Sequence, residues 1–324
     1  MFWGHIYLAE VKRLKKAFCY VFFIFVILYM IIFPQSAISE AKRAVILCGE
    51  AILPTLFVFL VCSQFLINTG FAKILKKPFA KIMYPLFGIN GSGALCVLAG
   101  YISGYPVGAV CTCELYKKGD LKRNEAERLL GFCNNAGPLF IIGSVGTAML
   151  KSRAAGYVLW LAHILASVIC GMVLRLFSRG KTGKETNDFQ SESISLVSAV
   201  SESVKNAVEI ILNICANTVF FSVVISILFR FAGMSRLSVV LGGMIEMTNA
   251  INKMCVLKNY LFSSEAGILP YIAFVLGFGG ICVHLQVAGV VRKTDLSLKL
   301  YFLGKTMHAF FSFAAAYALT KLIM

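Results

Sequence analysis

The stretch GYISGYPVGAV, Gly100 to Val110, lies inside an apolar run yet carries three glycines and a proline. A membrane helix broken there frees backbone groups where the bilayer has no water to pair with them. Such a break survives only where it lines a cavity or is buried in protein. The stretch therefore predicts a hairpin rather than a span. Residues 91–102 form a half-helix of roughly 16 Å at about 1.5 Å per residue, half of the roughly 30 Å hydrocarbon thickness. SGYP (103–106) turns at the midplane, and 107–118 return to the side of entry.

The surrounding chain is a membrane protein by composition. Of 324 residues, 59% are hydrophobic, and the mean hydropathy is +0.81. Too little polar sequence remains to coat a soluble core. Apolar blocks near spanning length occur at 17–33, 44–67, 131–150, 154–177, 206–232 and 299–322, with glycine-crowded blocks at 90–113 and 267–291. The net charge of +16 does not point to nucleic acid, because the basic residues fall in short loops beside apolar blocks. The 11 cysteines lie in or beside apolar segments without a CxxC pair, as small buried hydrophobes do. No metal site or cofactor is expected. The basic, then apolar N-terminus reads as a retained first helix with its N-terminus in the cytoplasm; a secretory signal is the competing reading.

The chain also repeats. LPTLFVFLVCSQFLINTGFAKI (53–74) aligns without a gap on ANTVFFSVVISILFRFAGMSRL (216–237), matching Thr55 with Thr218, Ser63 with Ser226 and Gly70 with Gly233. LLGFCNNAGP (129–138) then resembles VLGFGGICVH (275–284). The division is an N-terminal helix with its flanks (1–43), a first repeat (44–177), a cytoplasmic linker (178–205) and a second repeat (206–324). If every apolar element spans, the two repeats are parallel. If the second element of each is a hairpin, they are inverted. The hairpin arrangement puts most lysines and arginines on the cytoplasmic side, in loops 71–81, 117–128, 175–205 and 292–299. The all-spanning arrangement scatters them, so the hairpin arrangement is preferred. Lys305 falls inside the last apolar segment and is left out of this comparison. The fold class is thus all-α and polytopic: inverted repeats, each with a re-entrant hairpin and a broken helix, plus one N-terminal transmembrane helix.

This pattern is that of secondary transporters, where half-helix ends converge at the midplane. The first tip offers Ser103, Gly104 and Tyr105, and the second, at EMTN (246–249), offers Glu246, Thr248 and Asn249. The helix after each hairpin is broken too. CNNAGP (133–138) presents Asn134 and Asn135, and GFGG (277–280) presents the amides of Gly279 and Gly280, with His284 and Gln286 nearby. Asparagine amides donate to carboxylates and accept from cations. Helix capping is the competing role for all these groups. Glu246 is the candidate for coupling a proton or cation, with His284 beside it; a plain ion pair with Lys253 is its alternative. His163 and His308 read as hydrogen-bonded packing residues. Ile194, Val197, Val200 and Val204 suggest an amphipathic lead-in at the interface. No Walker A, nucleophile elbow or HExxH occurs, so no enzyme is expected.

At YISGYPVGAV, GFCNNAGPLFIIGSVG and GGMIEMTNAI, the sequence resembles the YlbJ-type sporulation integral membrane proteins of the nucleoside-recognition, or Gate, domain superfamily. That superfamily is similar in core design to concentrative nucleoside transporters. The resemblance implies two hairpins and two unwound helices around a substrate, in a bacterial cell membrane. For the sporulation branch it implies movement of dipicolinic acid across the outer forespore membrane. The first tip here has no carboxylate, whereas Glu246 resembles the acidic residue of the second hairpin. The expected partners are a small anion, the bilayer and a coupling cation or proton. A membrane scaffold or regulator of a sporulation complex, and a nucleoside permease, are the alternatives.

Overall fold

The computed structural model describes residues 2–176, 195–262 and 265–323. Every regular element among them is a helix. In chain order these are α1 (Phe2–Ile32), α2 (Pro34–Leu47), a π-helical turn (Cys48–Ile52), α3 (Leu53–Asn68), α4 (Phe71–Phe87), a short 3-10 turn (Gly91–Gly93), α5 (Ala94–Ser103), α6 (Val107–Lys117) and α7 (Arg123–Phe132). A π-helix (Leu139–Met149) and α8 (Arg153–Leu176) complete the first half. The second half holds α9 (Leu196–Ala232), α10 (Arg236–Ile245), α11 (Met247–Val256), α12 (Lys258–Leu261), α13 (Glu265–Phe278), α14 (Gly280–Val291) and α15 (Lys299–Ile323).

Among the described residues, four stretches are long and apolar enough to cross a membrane: Arg13–Ile32, Arg153–Leu176, Leu196–Ala232 and Gly267–Val291. The last contains the interruption at Gly279 that separates α13 from α14. The helix expected over 299–322 is present as α15. Its apolar character is diluted by Lys305 and His308, both fully buried, so the polar groups that depress its hydropathy never meet lipid. Leu56–Asn68 and Phe71–Phe87 are bent by 87°. The 71–81 segment, expected as a loop, is therefore a helix lying across the end of α3. Lys73, Lys76, Lys77 and Lys81 point outward from it while Ala72, Met83 and Phe87 are buried, the two-faced pattern that an interfacial helix needs.

Paired short helices occupy both places where a hairpin was expected. α5 and α6 pack on one another, and their outer ends meet where the Asn90 side chain donates to the Asp120 carbonyl at 3.0 Å. α10 packs on α11, and their outer ends meet where the Arg236 guanidinium lies 5.6 Å from the Phe262 ring centre. Packing between the halves is reciprocal. α3 packs on α9 and α8 on α15. α7 meets α15 as α13 meets α8, and α6 meets α14 as α11 meets the π-helix.

The basic segments collect at one end of the bundle. Lys118 donates to the Ile67 carbonyl and the Asn68 side chain, each at 3.0 Å, and Asn68 reaches Ser203 at 3.3 Å. Lys293 pairs with Glu209. Asp295 accepts from Tyr116 at 2.7 Å and from Arg123 at 3.3 Å. The start of α6's return loop, the N-terminal part of α9 and the α14–α15 loop thus share a side. Residues 177–194 of the polar linker lie outside the described residues. The rest of that linker is the opening of α9, where Val197, Val200 and Val204 are exposed. At the periphery α1 packs on α9 through Val26 and Tyr29, which join Phe221, Val224 and Ile227.

Candidate functional site

Two helix breaks and two hairpin tips meet at the centre, and the first break shows how buried backbone is satisfied without water. α7 ends at Phe132, whose carbonyl accepts from Asn135 Nδ2 at 2.8 Å and Ser167 Oγ at 2.7 Å. The Ala136 amide donates to His163 Nε2 at 3.1 Å. The Asn134 carbonyl accepts from Lys305 Nζ at 3.1 Å. Three backbone groups released by the break are thus met by side chains from the break itself, α8 or α15, as irregular backbone at membrane depth requires.

The first tip is anchored across the molecule. Tyr105 is buried; its hydroxyl donates to the Leu276 carbonyl at 2.9 Å, just before the second break, and accepts from Lys305 Nζ at 2.8 Å. Gly104 has φ +96°, open to glycine at little cost, and a Cβ there would press on the Gly137 amide. Gly279, at φ +89°, lies against the Tyr105 ring, where a Cβ would touch its hydroxyl. The arms of the hairpin also clasp the first break: a Cβ on Gly100 or on Gly108 would run into the Cys133 carbonyl.

The second tip is built on Glu246. It caps α11, its two carboxylate oxygens accepting from the Thr248 and Asn249 amides at 2.8 Å each. Negative charge at a helix N-terminus is favourable. Glu246 is 3% exposed and enters no ion pair among the described residues. Lys253, the pairing partner considered from sequence, lines a separate small cavity with Glu40 and Asn249. Asn249 Nδ2 donates to Ser222 Oγ at 2.7 Å.

A cavity of about 400 Å³ opens between these parts. Ser103, Gly104, Tyr105, Glu246, Thr248 and Gly279 are in its wall, with Ala136, Gly137 and Gln286. It extends toward Glu50 and Met149, away from the basic end. A second cavity, of about 660 Å³, opens toward the basic end past Glu114, Lys117, Arg292 and Lys293. Asn206, Asn213 and Asn217, along one side of α9, line it. Ile214 and Gln286 belong to both walls, and adjacent residues of the tip divide between them, Tyr105 in the first and Pro106 in the second.

Of the residues singled out from sequence, Asn134, Asn135, Asn249, Gly280 and His284 are not in the wall of the first cavity. Asn135 repairs the break. Asn134 is fully buried, its side chain beside Tyr301. Gly280 lies against the carbonyls of Gly243 and Ile245. His284 Nδ1 is 2.8 Å from the Tyr301 hydroxyl, inside the protein. His163 and His308 are buried and hydrogen-bonded. Among the described residues, no three His, Cys, Asp or Glu side chains gather as a metal site would require. Lys305 is the group that sequence reasoning passed over. It is fully buried and joins the first tip, the first break and α15. Its signal was available, since a lysine inside an apolar segment is a functional candidate in its own right.

The chain is 28% identical over 330 aligned residues to the sporulation integral membrane protein YlbJ of Bacillus subtilis (strain 168), covering 90% of this chain and 79% of that protein. No family model matches the chain, and no solved structure matches it.

Proposed function

We propose that this protein is a secondary transporter of a small anionic metabolite, working by alternating access with the two hairpins as gates. The observation that carries the proposal is the pair of cavities that approach from opposite ends and share Ile214 and Gln286, with the Tyr105–Pro106 tip between them. A single central region facing two separate approaches is what alternating access requires. The reciprocal packing of the two halves supports inverted repeats. The meeting of each hairpin's outer ends supports re-entrant hairpins, one from each face. The gathering of basic segments at one end supports a cytoplasmic assignment for that end and for the N-terminus.

The similarity to a sporulation integral membrane protein supports a sporulation role. The hairpin and break motifs support the Gate-domain resemblance, with dipicolinic acid as substrate and the outer forespore membrane as location. The test is uptake by the purified protein in liposomes loaded with terbium(III), whose luminescence reports arriving dipicolinate. Saturable uptake, competed by unlabelled dicarboxylates, is expected. Movement of uridine instead of dipicolinate makes it a nucleoside permease. Movement of neither, from folded protein, leaves the scaffold role.

A further inference from the structure

We propose that Lys305 is the charge-selecting group of the central site, drawing carboxylate-class anions into the cavity from behind Tyr105. This rests on the transport reading above. The ammonium has three neighbours, all acceptors: Tyr105 Oη at 2.8 Å, the Asn134 carbonyl at 3.1 Å and His308 Nδ1 at 3.2 Å. Their protonation is set by their other bonds. The Tyr105 hydroxyl gives its proton to the Leu276 carbonyl. His308 Nε2 faces the His163 carbonyl at 3.0 Å, so the proton sits on that nitrogen and Nδ1 presents a lone pair. His163 Nε2 accepts the Ala136 amide, so this ring too is neutral. Three lone pairs converge on one nitrogen, which matches the three donors of an ammonium. A neutral amine would leave one of them opposed by its own lone pair.

The charge is held but not cancelled. None of the ion pairs among the described residues involves Lys305, and its three partners are neutral. A buried ammonium satisfied by neutral acceptors still projects its field through low-dielectric surroundings. That field points at the cavity, because Nζ lies 4.8 Å from the centre of the Tyr105 ring, and Tyr105 is cavity wall. Glu246 lines the same cavity and by itself repels an anion. Lys305 supplies the opposing charge. At an effective dielectric of about 20, a carboxylate about 8 Å away gains roughly thirty-fold in affinity.

The experiment measures binding of pyridine-2,6-dicarboxylate and of its neutral diamide to the detergent-purified full chain by titration calorimetry. Wild type is expected to prefer the dicarboxylate. Lys305→Met removes the charge from a similar shape and is expected to weaken the dicarboxylate ten- to thirty-fold while leaving the diamide within about two-fold. Tyr105→Phe breaks the hydrogen bond but keeps the charge. It is expected to shift both ligands together and retain the preference. Should Lys305→Met not yield monodisperse protein, Lys305→Gln takes its place, keeping a donor for the Asn134 carbonyl. Equal dicarboxylate binding by wild type and the Lys305 variant overturns the charge-selecting role and leaves the anion-transport reading standing. Equal weakening of both ligands overturns it as well, making Lys305 a strut for the tip. A wild type that does not prefer the dicarboxylate overturns the anionic reading, and this inference with it.

Discussion

Glu246 and Asn135 are both polar and buried, yet their bonds differ. Glu246 is in the cavity wall with both oxygens engaged by amides of its own helix, so it needs no cation to stay in place and remains open to one. Glu246→Gln keeps the shape and removes the titration. It is expected to abolish gradient-driven accumulation in liposomes while leaving exchange of pre-loaded substrate largely intact; accumulation at the wild-type rate would remove the coupling role. Asn135 instead holds the end of α7. Asn135→Ala leaves a buried carbonyl with one donor fewer, a loss of about 1–3 kcal/mol, read as a lowered melting temperature in detergent. An unchanged melting temperature with lost transport would return Asn135 to the substrate. Lys305 was legible as a lysine inside an apolar segment, but its role was not. Two of its three partners come from positions far away in the chain, and the third, His308, is three residues on.

At the scale of elements, the break between α5 and α6 was legible because glycine and proline inside an apolar run admit few structures. The amphipathic α4 was not, since four lysines in a short segment read as a loop until the bend at Gly70 lays them along one face. The placement of the α6–α7 turn is directly testable. Asp120→Cys, in a background without the exposed Cys19 and Cys62, is expected to resist a membrane-impermeant thiol reagent in intact cells. Ready labelling from outside would restore an all-spanning first half. The same end is closed by a clasp. The Asp295 carboxyl is held below its ordinary range first by the Tyr116 hydroxyl, then by a backbone hydrogen bond and last by the Arg123 charge. A depressed carboxyl pKa means that stability is present above the ordinary value of about 4 and lost as pH falls through the lowered one. The melting difference between wild type and Tyr116→Phe is therefore expected at neutral pH and should vanish in acid. A difference independent of pH would assign it to packing.

For the whole molecule, the two cavities are the feature on which the proposed transport depends. Their shared wall at Ile214 and Gln286 puts one barrier between two approaches, so widening one at the tips is expected to narrow the other. Met149→Cys reports on the first cavity and Asn213→Cys on the second, each in the same background. Saturating substrate is expected to change their labelling rates in opposite directions. A parallel change would describe a pore or a rigid scaffold rather than a transporter with alternating access.

The sequence by itself determined the helical membrane class and the positions of the helix breaks, and it carried the expectation of re-entrant hairpins and basic loops on one side. These follow from local rules: a bilayer tolerates no unpaired backbone, and short basic loops stay on one side. The tertiary structure alone decided which polar residues face the cavity and which repair the fold. Asn134, Asn135, Tyr105 and Lys305 all lie in interrupted or apolar stretches. Asn135 meets the end of α7 only three residues back along the chain, whereas the packing of α15 between α7, α8 and α13 alone sets Lys305 behind Tyr105. That assignment depends on distances between segments remote in the chain, and helical periodicity carries no record of them.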